Sequence, residues 1–148
     1  MHSPHSLIIE SLEECGATFE ILSKAEHRDY FRRWFDSYDN FYNPERRRLR
    51  GARAIAEAEA VNDRGFLLVP CRDPSSNGFS PVYTAFRCKS NRLPDLTEVS
   101  HYVDAFISPP DFAWTLLYGH EIDVFGGPEF SYLDWLIPGS IERTRKRE

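Results

Sequence analysis

From Gly65 onward the apolar residues of this chain recur with a period of two, whereas most of what precedes it is patterned at helical spacing. That change constrains the fold more than any other feature of the sequence. The stretch FLLVPCR, a turn at DPSSNG and the stretch SPVYTAFRCK read as a hairpin. With that turn centred near Ser75 and Ser76, Cys71 falls opposite Ser80 and away from Cys88. SNRLPDL then reads as a loop, HYVDAFI as a strand, SPPD as a turn with its prolines outside any ladder, and FAWTLLYG as an aromatic, β-branched strand. Helices followed by an antiparallel meander define an α+β domain, with the N-terminal helices expected on one face of the sheet.

The first half supplies those helices. Ser6 can cap LIIESLEEC, Gly16 stops it, and TFEIL alternates as a strand would. Ser23 and Glu26 form a capping box before a helix whose Tyr30, Phe31, Trp34, Phe35 and Tyr38 share one side, with Arg28, Asp29, Arg32, Arg33 and Asp36 on the other. Asn43-Pro44 predicts a further helix, ERRRLRGARAIAEAEAV, stopped at Asn62-Asp63-Arg64-Gly65. It would bury only Leu49, Ala52, Ile55, Ala56 and Ala60, and so would lie at the domain's edge. Arginines 46, 47 and 48 at its start would oppose the helix dipole at about 0.3–1 kcal/mol each, so compensation is expected from carboxylates of the chain itself or from an acidic or phosphate partner. The expected organisation is an N-terminal tail over 1–6, one domain over 7–139 and a basic tail over 140–148.

A chain of 148 residues can bury roughly two-thirds of its unfolded surface in one core, and eleven Phe, seven Tyr and three Trp point to a core of aromatic contacts. The start MHSPHSLIIESLEECG lacks a basic first region and a long apolar middle, and no run is long enough for a bilayer, so the cytoplasm is the expected compartment. Three cysteines without C-x-x-C spacing argue for reduced thiols and against a zinc knuckle. The net charge is −5, and residues 54–142 hold five basic against thirteen acidic residues, so bulk electrostatics do not favour nucleic acid. Five arginines lie between Arg46 and Arg53, and four basic residues lie in the last six positions.

The densest candidate chemistry is WTLLYGHEIDVFGGPEF, residues 114–130. His120, Glu121 and Asp123, with His101 as a fourth member, are groups that move protons or bind metal near neutral pH. On a continuing strand Glu121 and Asp123 would share a face about 7 Å apart while His120 points the other way, so they converge only if a bulge or turn begins at Gly119. The H-E-x-x-H pattern is absent, and the structural reading is favoured: His120 and Glu121 end a strand and Gly126-Gly127-Pro128 turns the chain. No metal or cofactor is expected. A cysteine nucleophile (Cys15, Cys71 or Cys88 beside His101 or His120) finds no local support, and there is no P-loop, G-x-S-x-G or dinucleotide glycine pattern. YFRRWFDSY mixes arginine with aromatics as single-strand nucleic-acid binders do, but its periodicity assigns the aromatics to a core.

Within residues 103–130, Trp114-Thr115, His120-Glu121 and Gly127-Pro128 with Phe130 give a block that resembles a family of short uncharacterised bacterial proteins. That resemblance implies a shared small bacterial domain and transfers no catalytic role. An acidic body rich in aromatics suits recognition, so the leading expectation is a non-enzymatic protein-binding module of the immunity or regulatory-inhibitor type, with a basic protein partner. Glu121, Asp123, Glu129 and Asp134 are its expected contact residues. The alternative is a small metal-assisted or acid-base enzyme centred on His120, Glu121 and Asp123. Nucleic-acid binding through the arginine run and the tail comes third.

Overall fold

A computed structural model describes residues 4–38, 46–71, 84–119 and 126–133. In chain order the elements are α1 (Pro4–Glu14), β1 (Thr18–Ile21), α2 (Lys24–Tyr38), β2 (Arg46–Arg50), α3 (Ala52–Val61), β3 (Gly65–Pro70), β4 (Phe86–Lys89), α4 (Thr97–Ser100), β5 (Ala105–Ser108), β6 (Trp114–Tyr118) and β7 (Glu129–Leu133). The strands form one antiparallel sheet in the order β1-β4-β3-β5-β6-β7-β2, which gives the α+β class that the change of period implies. α1 already contains Pro4 to Ser6, so the helix starts earlier than a cap at Ser6 would place it.

The two faces of the sheet are covered differently. Phe66 and Leu68 of β3, Phe86 and Cys88 of β4, Ile107 of β5, Trp114 and Leu116 of β6 and Phe130 of β7 pack with Ile8 and Leu12 of α1, Ala54 and Ala58 of α3 and Val99 of α4. The alternate positions Leu67, Val69 and Phe106 pack with Trp34 of α2 and with Phe112. The period-two alternation therefore builds two cores, not one. Three helices take the expected face and α2 takes the other, because β3 and β5 are apolar at successive positions and both faces need cover.

α2 is fixed by its own start and by one ring stack. Ser23 and Glu26 make the reciprocal capping box, with the Ser23 N–H donating to Glu26 Oε1 at 3.2 Å and the Glu26 N–H to Ser23 Oγ at 3.1 Å. The Trp34 ring lies 4.5 Å from Phe106, nearly parallel at 7°, and its indole N–H donates to Thr115 Oγ1 at 2.9 Å. Of the aromatics expected to be buried, Trp34 is, Tyr30 and Phe31 are half-buried, and Phe35 is 47% exposed. The buried His27, donating through Nε2 to the Pro70 carbonyl at 2.8 Å, takes a place on that face which periodicity did not assign.

The helix expected over the arginine run is corrected. Residues 46–50 form β2, paired antiparallel with β7, and only residues 52–61 are helical. Gly51 separates the two with φ of 69°, and its N–H donates to the Pro128 carbonyl at 3.0 Å. A strand has only a small dipole, so the expected clash of Arg46, Arg47 and Arg48 with a helix N-terminus does not arise. The buried face of α3 is also rotated from the expected one: Ala54, Glu57 and Ala58 face the core, whereas Ala52, Ile55, Ala56 and Ala60 are exposed. Ala54 and Ala58 set small side chains against the core, with the buried Glu57 between them.

The hairpin of β3 and β4 forms with Phe66 opposite Cys88 and Leu68 opposite Phe86, a register shifted from a turn centred on Ser75-Ser76. Most of that connection lies outside the described residues. The thiol separation holds for a different reason, since Cys88 belongs to the α1 side of the sheet and Cys71 to the α2 side. All three cysteines are free. HYVDAFI begins as the turn that follows the short helix α4, and becomes strand only at Ala105.

Candidate functional site

β6 runs Trp114-Thr115-Leu116-Leu117-Tyr118 and pairs with β5 on one side and β7 on the other. Trp114, Thr115, Leu116 and Tyr118 are buried, so the aromatic strand in the densest stretch of candidate chemistry is a central element of the sheet. Burial pushes the Tyr118 hydroxyl up from its ordinary value, with Asp95 adding in the same direction, so this phenol is protonated at neutral pH and is no general base.

His120, Glu121 and Asp123 lie outside the described residues, as does Asp134. The last residue before them, Gly119, follows Tyr118, which pairs with Ala105. A Cβ on Gly119 would stand 3.9 Å from the Asp104 carboxyl. The register thus brings the Asp104 carboxyl beside Gly119, which no spacing in the sequence reveals. His101 is exposed at the end of α4, with Nδ1 3.9 Å from Glu98 Oε2, one turn earlier in the chain. Among the described residues no group of three His, Cys, Asp or Glu is placed to hold a metal ion.

Gly126 and Gly127 do turn the chain, with φ of 70° and 148°. Gly127 has a further task that the sequence did not disclose. A Cβ there would meet the Gly51 Cα at 2.9 Å, so two glycines far apart in sequence allow the turn before β7 to touch the junction between β2 and α3. Of the four acidic contact residues expected, only Glu129 is described. It is half-buried on β7, opposite Arg50 and Leu117, and accepts from Ser131 Oγ at 3.4 Å.

Among the described residues, the surfaces that remain are the two ends of the sheet. β1 is one end strand, and Thr18, Glu20 and Ile21 are exposed along it. Glu20 pairs with Arg87 of β4, which also reaches Glu26 at 3.4 Å and donates to the Tyr30 hydroxyl at 3.2 Å. Arg33 of α2 lies 4.9 Å from the centre of the Phe112 ring and so ties the helix to the turn between β5 and β6. Arg87 and Arg33 thus join α2 to the sheet. Ile21, 57% exposed, has no such engagement among these contacts.

The described residues define an α+β fold on one antiparallel sheet whose end strands, among those residues, are β1 and β2. The chain matches no family model, no curated protein and no solved structure. Among the described residues no helix is long and apolar enough to cross a membrane.

Proposed function

We propose that the protein is a non-enzymatic binding module of the immunity or regulatory-inhibitor type, which recognises a protein partner through an end strand of its sheet. One observation carries this reading: Ile21, 57% exposed, sits on β1, an end strand of the sheet among the described residues. End strands present unpaired backbone N–H and C=O groups and are ordinarily guarded by charge, proline or a bulge. Here the adjacent charge, Glu20, is taken up by Arg87, so an apolar side chain stands beside an edge able to accept another strand. The test is cross-linking in the source cells followed by reconstitution with the purified partner. Wild type should form a stoichiometric complex that Ile21→Asp loses while keeping its circular dichroism spectrum. Equal complex formation by both proteins, or no partner with either, refutes the reading.

The acid-base alternative draws on a single proximity, that of the Asp104 carboxyl to the backbone at Gly119. It requires His120→Ala and Asp104→Asn to abolish a turnover that wild type shows, and any such turnover would displace the binding module.

A further inference from the structure

The outer side of α2 is a surface apart from the ends of the sheet, and its charges are used differently from those on its flanks. A helix brings residues four apart onto one face, with Cβ atoms about 5–6 Å from each other. The buried His27 and Trp34 mark the side of α2 that meets the sheet, and Arg28, Arg32 and Phe35, at positions i, i+4 and i+7, lie on the side turned away. All three are exposed, so the phenylalanine that spacing would bury stands in solvent beside two arginines. Its ring leans on Phe31 of the same helix, at 6.3 Å between ring centres. The flanking charges are engaged: Arg33 lies over Phe112 and reaches Asp29 at 4.0 Å, and Glu26 is held by Ser23 and Arg87. Arg28 and Arg32 are not, since among the described residues the side chain of neither makes an ion pair, a hydrogen bond or a ring contact. The same holds for Asp36, which is exposed one turn beyond Arg32.

We infer that this face of α2 docks an antiparallel helix of a partner protein, which sets an apolar side chain against Phe35 and two carboxylates, one turn apart, against Arg32 and Arg28. Charge complementarity selects this occupant. A guanidinium offers a planar pair of donors that matches a carboxylate, and two of them at the helix repeat favour acids set at that same repeat over the same acids placed elsewhere. From Arg28 to Phe35 the axis advances about 10.5 Å, seven residues at about 1.5 Å each, which a second helix lying alongside meets turn for turn. Antiparallel packing also sets the two helix dipoles head to tail. An aromatic ring among arginines suits single-stranded nucleic acid as well. Asp36 decides against it, because a phosphate chain laid along this face would meet that carboxylate with like charge, and the chain as a whole carries a net charge of −5. A partner helix can place a lysine there instead.

This inference rests on the reading of the protein as a binding module and adds to it a second contact surface of stated chemistry. It is tested with the full chain and fluorescent synthetic probes by anisotropy. The probe is an alanine-based helical peptide with one Leu and with Glu three and seven residues after it. The controls are an isomer of the same composition whose Leu and Glu lie on opposite faces, and an oligothymidylate. The designed peptide should bind at least fivefold tighter than either control and should weaken as salt rises, since a Debye length of about 10 Å at 0.1 M screens these charges. The Arg28→Glu, Arg32→Glu variant should lose at least tenfold in affinity, and a peptide with Lys in place of both Glu should bind that variant and not wild type. Phe35→Ser should weaken the designed peptide at least threefold. Should the reversal variant fail to keep its circular dichroism spectrum, Arg28→Gln with Arg32→Gln must show the same direction of loss. Equal binding of the isomer, or no binding of the designed peptide, overturns the inference. Tighter binding of oligothymidylate that the reversal abolishes overturns it in favour of nucleic acid. The Ile21-dependent complex is measured separately from all of these, so failure at α2 is distinguishable from failure of the module reading.

Discussion

Replacing Trp34 by Ala should cost about 3–5 kcal/mol, because it removes a large buried ring and the main attachment of α2 to the second face of the sheet. The side chain is 5% exposed, its ring stacks on Phe106 at 4.5 Å and 7°, and its N–H is satisfied by Thr115 Oγ1. These parts can be separated. Trp34→Phe keeps an aromatic ring over Phe106 but loses the donor and some area, and should cost about 1–2.5 kcal/mol. Thr115→Val leaves the indole N–H buried without its acceptor and also removes the hydroxyl's bond to the Ile107 carbonyl, for about 1–3 kcal/mol. In the double variant the stranded donor is gone, so the two losses should fall short of additivity by about 0.5–1.5 kcal/mol. Urea denaturation of the four proteins gives the cycle, with the slope of each transition checked for a common unfolded state. A loss below about 1 kcal/mol for Trp34→Ala would mean that α2 does not seal this face, and the two-core architecture would be wrong.

Gly127→Ala should cost more than Gly126→Ala, at about 2 kcal/mol or more by thermal melting, because its Cβ meets backbone atoms of Gly51 whereas Gly126 has open space and bears only its unfavourable φ. Equal costs would refute the close approach. The Ser23 N–H and hydroxyl, with Arg87 nearby, hold the Glu26 carboxyl below its ordinary value. Its contribution is therefore present above the ordinary carboxylate range and lost as pH falls through the lowered folded value. Glu26→Gln should accordingly flatten the acid limb of stability against pH, and an unchanged limb counts against the capping box. Burial, with Cys15 adding, pushes the Cys88 thiol up to about 12. Cys88 should then resist alkylation at pH 8 in the native protein and react on unfolding, with mass spectrometry of the labelled peptides as the readout.

What could be read from the sequence was local. The Ser23–Glu26 box, the stop at Gly16, the helical spacing through Trp34 and the aromatic strand at Trp114 depend on neighbours a few residues away, and they appear in the fold where spacing put them. The turn at Gly126-Gly127 was legible for the same reason, since only glycine accepts such angles readily. Residues 46–50 were misread because Arg and Leu are good helix formers, and pairing with β7, a strand far along the chain, overrides that local preference. The candidate site was the least legible part. Asp104 comes to Gly119 only through the β5–β6 register, Gly127 to Gly51 only through the packing of two distant turns, and the half-burial of Glu129 only through the pairing of β7 with β6 and β2. Periodicity could show that β3 and β5 are apolar at successive positions, but it could not say which helix would cover which face. That was decided by tertiary packing, because burial depends on a strand's neighbours in the sheet and local sequence records only the strand's own pattern.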